Sequence, residues 1–495
     1  EQFISEIFTV IEKNGRGVYY LFDCLSGLAV DWYSDRMLGN FFMLTCPYLY
    51  IYDTVTCFVL LRNLHTPLAI NAIHDTAQVI LDVFRSNAKL YVLPIKVFER
   101  YSPTMYMLHS WENDIFRPVT KSTVLSEILS NTPQPWIDFN IDRRDTWTQT
   151  FIQARRTHEQ LQQRMAVSED VTALKKRLIN MVLTRDPHLF TLCEKYFDIS
   201  DLVAIGKRMI GTGLIGGKSV GMLLARSILS RESEKLKDRL EMHDSFFIGS
   251  DVFYSYIIQN DCWWERHRIK TSNNVYERAE QIRQKLRTGA FPPDIIEQFE
   301  EMLKYFGQSP IIVRSSSLLE DAYGNAFSGK YESVFCANQG TPEQRLTNFI
   351  EAVRTVYAST MSQEALSYRA HRGLLHQDEQ MALLVQRVSG EFYHQLYFPQ
   401  IAGVGYSFNP FVWNKKIDPA QGMLRLVFGL GTRAVDRHDD DYTRVVALNE
   451  PLLRPDFADI YMMLKRKGLL VSVFTNATVI RPQHIELFKK YPPRD

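Results

Sequence analysis

Two stretches of this chain carry residues whose types and spacing could handle phosphate. The first is Gly211-Thr-Gly-Leu-Ile-Gly-Gly-Lys-Ser219. Its glycines, Gly216 and Gly217 among them, let backbone N–H groups approach an anion, and Lys218 adds a point charge. The strict pattern GxxxxGK[ST] needs glycine six positions before the lysine. This chain has Thr212 there, and the preceding Val203–Met209 stretch, with Gly206, Lys207 and Arg208, makes a poor buried strand. A Walker A site is therefore not expected. Alone, the loop fits both an anion-binding helix N-terminus and a glycine-rich helix start that binds nothing. The second stretch, Ile311-Ile-Val-Arg-Ser-Ser-Ser317, reads as a short buried strand that ends by presenting Arg314 and three hydroxyls, Ser315 first. Glu320-Asp321 and Gly324-Asn-Ala-Phe-Ser-Gly-Lys-Tyr-Glu-Ser333 follow it. A strand-end arginine can bridge phosphate oxygens with its planar fork, and a Ser/Gly loop can close over a triphosphate with backbone donors.

The elements that must position these groups follow from hydrophobic periodicity. From Gly17 to about Trp111, the apolar runs Val18–Phe22, Cys57–Leu61, Val79–Val83, Leu90–Val97 and Thr104–Leu108 alternate with polar or helix-like stretches, an α/β pattern. Asp114 to Ser200 opens with turn residues around Pro133 and Pro135, then turns charged and helix-favouring with no strand signal, so a helical connector is expected. From Leu202 onward, β-like runs Ile311–Val313, Ala382–Val388 and Leu424–Phe428 are separated by amphipathic stretches such as Pro342–Tyr357, which predicts a second α/β domain. The expected organisation is an α/β multidomain protein divided at 1–113, 114–200, 201–450 and 451–495. Its length of 495 residues suits two or three domains.

Composition bounds the partners. Lysine plus arginine (57) balances aspartate plus glutamate (56), so no global field favours nucleic acid or an anionic membrane, and any anion site must be local. The cysteines Cys24, Cys46, Cys57, Cys193, Cys262 and Cys336 form no CxxC pair, which argues against a disulfide framework or a zinc ribbon and fits a reducing cytoplasm. The most apolar stretch, Met37–Leu64, is broken by Asn40, Pro47, Asp53, Arg62 and Asn63 and reads as core elements rather than a bilayer span. No basic-then-apolar leader follows Glu1, and a chain opening on Glu rather than Met is expected to be trimmed or truncated.

The motifs GGKS, VRSSSLLEDAYGNAFSGKYESV, ALLVQRVSG and AGVGYSFNP occur in that order. Together they resemble the nucleotide-binding domain of pyruvate phosphate dikinase and phosphoenolpyruvate synthase, over about half of the chain. The resemblance implies an ATP-grasp-like fold and an ATP-dependent phosphotransferase, or kinase, that uses Mg2+. It implies that Lys218 and Arg314 contact ATP phosphates, with Gly216, Gly217 and Ser315 beside them, and that Ser328 and Gly329 belong to a loop folding over them. Gln386 and Arg387 would lie on the strand bordering adenine, against the alternative of an ordinary strand edge. The Gly429-Leu-Gly431 turn is similar to the family's glycine turn after a core strand.

The pattern departs from the family in places. A later metal-binding acid and a Gln-x-Arg motif are not found after Glu450, which leaves the metal ligands unassigned; Asp439-Asp-Asp441 reads as a solvated loop. The phosphohistidine and pyruvate domains of the complete enzymes are not found, and His371, His376 and His394 lack the phosphohistidine context. The phosphate acceptor is thus open, with a separate histidine-bearing domain or protein as one candidate. Gly468–Ala477 resembles one unit of a radical-SAM barrel without its cysteine motif. Val18-Tyr-Tyr-Leu-Phe-Asp23 resembles the aspartate-ended strand of a partial RecA-like or KaiC-like domain, expected to be a degenerate scaffold or homo-oligomerisation domain. The alternative to a kinase is a nucleotide-sensing or catalytically inactive regulatory protein.

Overall fold

Short polar residues mark where this chain turns helical. Ser34, Asp145, Asp170, Asp186, Asp198, Thr341 and Ser362 each precede a helix and accept a first-turn backbone N–H with a side-chain oxygen. Each satisfies a donor that has no partner within its own helix. The computed structural model describes residues 2–62, 64–112, 114–130, 145–163, 170–232, 234–238, 240, 242–269, 275–319, 330–375, 377–412, 417–434, 443–448, 456–467 and 482–492. They fall into two compact units, Glu1–Arg387 and Val388–Asp495.

The first unit opens with helix α1 (Gln2–Asn14), strand β1 (Tyr19–Phe22), helices α2 (Leu25–Trp32) and α3 (Asp35–Ile51), strand β2 (Val55–Phe58) and helix α4 (Pro67–Thr76). β1 and β2 pair in parallel. Phe22 and Phe58 stack on their inner side, while Tyr19, Leu21 and Val55 are exposed on the other. Strands β3 (Val79–Ser86), β4 (Lys89–Val97), β5 (His109–Glu112) and β6 (Ile115–Pro118) form an antiparallel meander. Helix α5 (Ser122–Ser130) covers one face through Ile128, against Phe84, Tyr91 and Leu108. By register, Val83, Leu90, Trp111 and Phe116 share the other face, and all four are exposed.

Two sequence expectations differ from this meander. The run Thr104–Leu108 is turn rather than strand, because Tyr106 takes a left-handed φ of 63°, and pairing begins only at His109. Within the stretch expected to lack strands, Ile115–Pro118 pairs with β5, closed by Asp114 at φ 59° and by the stacked rings of Trp111 and Phe116. Four residues with one β-branched side chain gave too weak a periodic signal.

Helices α6 (Thr146–Gln162), α7 (Val171–Val182), α8 (Pro187–Tyr196) and α9 (Ile199–Gly206) follow, sharing a core of Trp147, Leu178, Val182, Cys193 and Leu202. Next come strand β7 (Met209–Ile210), helices α10 (Gly217–Glu232) and α11 (Glu234–Lys237), strand β8 (Ser245–Ile248), and helices α12 (Ser250–Gln259), α13 (Trp263–Ile269), α14 (Val275–Thr288) and α15 (Pro293–Phe306). Strands β9 (Ile311–Ser317) and β10 (Ser333–Cys336), helices α16 (Pro342–Ser359) and α17 (Gln363–His371), and strand β11 (Met381–Arg387) complete the unit.

Five of these strands make one sheet in the order β10-β9-β11-β8-β7, antiparallel except for β7 with β8. Phe247 and Leu384 face the core shared with α10 and the α6–α9 helices. Ile248, Val313, Leu383 and Val385 face the other core, with α12, α15 and α16. A strand covered on both faces needs no polar alternation, which is why Met381–Val385 is a continuous buried run. Each fully buried side chain of leucine size stabilises by roughly 1.5–3 kcal/mol. The strand carrying Gln386 and Arg387 is therefore anchored along its length.

The second unit holds the hairpin β12 (Glu391–Tyr393) with β13 (Leu396–Phe398) and a separate antiparallel sheet of β14 (Ile401–Tyr406), β15 (Met423–Phe428) and β16 (Arg444–Ala447). Helices α18 (Phe457–Arg466) and α19 (Pro482–Lys490) pack through Phe457, Tyr461, Leu487 and Phe488. Asp439–Asp441 and Gly468–Ala477 lie outside the described residues. Among the described residues no helix is long and apolar enough to cross a membrane.

Candidate functional site

The glycine loop runs from β7 into the N-terminus of α10 and is held from several sides. Gly211 N–H donates to Gln298 Oε1 at 2.9 Å, Leu214 N–H donates to Ser250 Oγ at 3.2 Å, and Ile215 N–H donates to the Val182 carbonyl at 2.9 Å. Thr212 Oγ1 donates to the Asp251 carboxylate. Asp251 is 1% exposed, and burial pushes its carboxyl up from the ordinary aspartate value, although hydroxyls from Thr212 and Ser34 and the charge of Arg36 oppose that rise. Gly216 has a left-handed φ of 80°, and a Cβ there would overlap the carbonyl oxygen of Ser316. Only glycine lets the loop lie this close to β9.

That close approach registers the helix start against the strand. Ser219 N–H donates to Ser316 Oγ at 3.0 Å, and Ser316 Oγ donates to the Ile215 carbonyl at 2.8 Å. Lys218 Nζ, half-buried, donates to Ser315 Oγ at 3.3 Å. One residue earlier on β9, Arg314 reaches Gln386 Oε1 on β11 at 3.5 Å, and Gln386 Nε2 in turn donates to Ser245 Oγ at 3.1 Å. The structure thus gathers Gly216, Gly217, Lys218, Arg314, Ser315 and Gln386 about adjoining positions of β9, α10 and β11. The 16-residue α10 presents its N-terminal end there, where peptide dipoles sum to a partial positive charge. Lys218 and the hydroxyls of Ser315 and Ser316 meet at that helix N-terminus, with Arg314 on the same strand, and donors of these types suit a polyphosphate.

Arg387 is placed differently. Successive side chains of a strand point to opposite faces, and Arg387 leaves Gln386 to donate through Nε to Asp244 Oδ2 at 2.8 Å and through Nη1 to Ser309 Oγ, with its guanidinium over the Phe306 ring. Asp244 also pairs with Arg208 at 3.1 Å and accepts from Tyr305 OH at 3.0 Å. Burial alone would push Asp244 up, but the hydrogen bonds from Arg387 and Tyr305 and the charges of Arg387 and Arg208 hold it below the ordinary range. Burial, then the charges of Arg226 and Arg208, push the neighbouring His243 down.

Ser328 and Gly329 lie outside the described residues. The residues on either side of 320–329 meet at one buried acid: Glu379, 0% exposed, accepts from Ser317 Oγ and from Tyr331 OH, and pairs with Arg369 at 3.6 Å.

A family model described as "Pyruvate phosphate dikinase, AMP/ATP-binding domain" matches residues 212–477, more than half of the chain. The chain belongs to that family. Its match opens on Thr212, inside the glycine loop, and takes in β9, β10 and β11. Among curated proteins, rifampicin phosphotransferase of Bacillus cereus is 24% identical over 169 residues, covering 34% of this chain and 17% of that protein. Phosphoenolpyruvate synthase of Aeropyrum pernix is 25% identical over 188 residues, 35% of this chain and 21% of that protein. Phosphoenolpyruvate synthase of Synechocystis is 25% identical over 193 residues, with 36% and 22% covered. The aligned part thus spans about a fifth of the length of these relatives.

Among the described residues no cluster of three or more His, Cys, Asp or Glu is arranged to hold a metal ion. Sequence reasoning singled out Lys218, Arg314 and Ser315 but missed Ser219, whose hydroxyl stands 2.9 Å from that of Ser316, and the Thr212–Asp251 bond. Only the fold joins these partners, which are 97 and 39 residues apart, so no local spacing could have marked them.

Proposed function

We propose that the chain is an ATP-binding phosphotransferase module, with the nucleotide phosphates held by the α10 N-terminus, Lys218, Arg314 and Ser315. The observation that carries this reading is the docking of the Gly216–Ser219 turn onto β9, which brings a helix N-terminus and Lys218 to the strand that bears Arg314. Family membership supports the choice of ATP over other anions. Lys218 and Arg314 would neutralise charge on a transferring phosphoryl group, so this chain's contribution is positioning plus electrostatics. Ser328 and Gly329 would close over the phosphates, and Gln386 would orient Arg314 beside the adenine-bordering strand. Arg387 would hold that strand in place through Asp244.

Mg2+ commonly uses one or two carboxylates plus substrate phosphates, so we assign it to the nucleotide phosphates rather than to a cage of protein ligands. For the architecture, we propose an ATP-grasp-like fold over 201–450, a partial RecA-like domain over 1–113, supported by the parallel β1–β2 pair, a connector over 114–200 that is helical once β6 and α5 have completed the meander, and a C-terminal tail over 451–495. The acceptor is proposed to be a histidine on a separate domain or protein. The names of the relatives point to different acceptors, rifampicin in one case and pyruvate chemistry in the other. A nucleotide sensor is the second reading, favoured by the hydrogen bonds that tie α3 to the glycine loop.

Calorimetric titration with ATP and Mg2+ tests the site. Saturable binding is expected for the wild-type chain, weakened at least about tenfold, or about 1.4 kcal/mol, in Lys218→Ala and Arg314→Ala. Circular dichroism would check that both variants stay folded. Equal affinity in both folded variants, or no binding by the folded wild type, would refute the reading.

A further inference from the structure

The family match begins at Thr212, yet the loop it opens on is bonded to a helix that lies far outside it. Ser34, the residue before α3, donates its hydroxyl to Asp251 Oδ2 at 2.7 Å, the oxygen that also accepts from Thr212. The two hydroxyl oxygens stand 2.9 Å apart. On the other side of the carboxylate, Asp251 Oδ1 has no hydrogen-bond partner among the described residues, and a Cβ built on Gly213 would stand 2.6 Å from it. The buried acid therefore depends on two hydroxyls, one from the loop and one from α3. Losing either leaves a buried polar group under-satisfied, which costs more than an exposed hydrogen bond.

The start of α3 is itself a fixed frame. Asp35 accepts from Thr66 N–H at 2.6 Å and pairs with His65 Nδ1 at 2.8 Å, and His65 Nε2 stands 2.7 Å from Ser26 Oγ. Ser26, Asp35 and His65 are all under 5% exposed, too enclosed for the triad-like arrangement to serve as a nucleophile. Further along α3, Arg36 pairs with Asp294, and Asn40 Nδ2 donates to Ser255 Oγ at 3.0 Å. Polar contacts thus run from α2 through His65 and α3 to the glycine loop.

We propose that Ser34 and Asp251 are positioning residues for the glycine loop, through which the region of α2 and α3 sets the nucleotide affinity of the α10 N-terminus. The inference rests on the nucleotide site proposed above. Coupling of this kind is reciprocal, so nucleotide binding must in turn stabilise the α3 contact.

The test uses Ser34→Gly, Ser34→Thr and Thr212→Val in the full chain. Glycine at an N-cap costs little helix stability, so Ser34→Gly keeps α3 while removing the bond to Asp251. Thr212→Val keeps the shape of the loop residue and removes its hydroxyl. Amide hydrogen exchange without nucleotide is read at residues 213–219 and at α16 as control, and ATP affinity by calorimetry. We expect Ser34→Gly and Thr212→Val to speed loop exchange at least about fivefold, to leave α16 unchanged and to weaken ATP about tenfold, with Ser34→Thr close to wild type. Unchanged loop exchange in both variants would overturn the proposal, as would faster exchange with unchanged affinity. If the wild type bound no ATP, the nucleotide reading would fall and the affinity clause with it, while the exchange data would still decide whether Ser34 positions the loop.

Discussion

A methyl group at Gly216 would overlap the carbonyl of Ser316, in a backbone conformation that L side chains rarely adopt. Gly216→Ala is therefore expected to lose at least about 2 kcal/mol of stability in chemical denaturation and, where it folds, to lose nucleotide binding. A variant of wild-type stability would show that the loop does not lie on β9. The residue scale is also where the sequence was most legible. Glycines, a lysine and an arginine followed by serines suggest phosphate chemistry by type alone; the structure joins Lys218 to Ser315, and Arg314, which lies in the middle of β9 rather than at its end, to Gln386. The partners that fix them, Ser316 for Ser219 and Asp251 for Thr212, are serines and acids like many others until the fold supplies the contact.

At the scale of elements, two acids flank strand β8 and answer to pH with opposite sign. Asp244, just before the strand, is held down by Arg387 and Tyr305. Its stabilisation is present above the unfolded-state value and is lost as pH falls through the depressed folded value. Asp251, at the start of α12, is pushed up by burial, so its ionisation destabilises the fold as pH rises from about 3.9 toward the raised folded value. Burial raises Asp145 as well, with the charges of Asp35 and Asp251 adding to the rise. In urea denaturation between pH 3 and 7, the pH-dependent part of the difference from wild type is expected to disfavour Asp244→Asn and favour Asp251→Asn at neutral pH, and to fade in acid for both. Parallel pH profiles of wild type and variants would contradict these assignments. The long apolar strands were legible as elements, since Met381–Val385 and Ile311–Val313 are buried on both faces. The β5–β6 hairpin was not, because its pairing rests on Asp114 at positive φ and a single aromatic stack.

For the whole molecule, a ligand that binds only the native state adds stability by mass action. ATP with Mg2+ at a hundredfold excess over Kd should add about 2.7 kcal/mol to the unfolding transition of the unit that carries β9 and α10. Lys218→Ala, with a tenfold weaker site, should cut the increment to about 1.4 kcal/mol or less at the same ATP concentration, and an equal thermal shift in that variant would place the nucleotide elsewhere. The division of the chain at Arg387 and Val388 makes more than one calorimetric transition the expected outcome.

The uncovered side of the β3–β6 meander bears on how such a melt is recorded. With Val83, Trp111 and Phe116 open to water, and Tyr19 and Leu21 similarly open on β1, the native protein offers a greasy surface to any solvatochromic dye. A dye-monitored melt should begin bright and rise little, and the protein should salt out early and cling to phenyl resin. Far-ultraviolet ellipticity, which is blind to that surface, is the signal by which its unfolding should be followed.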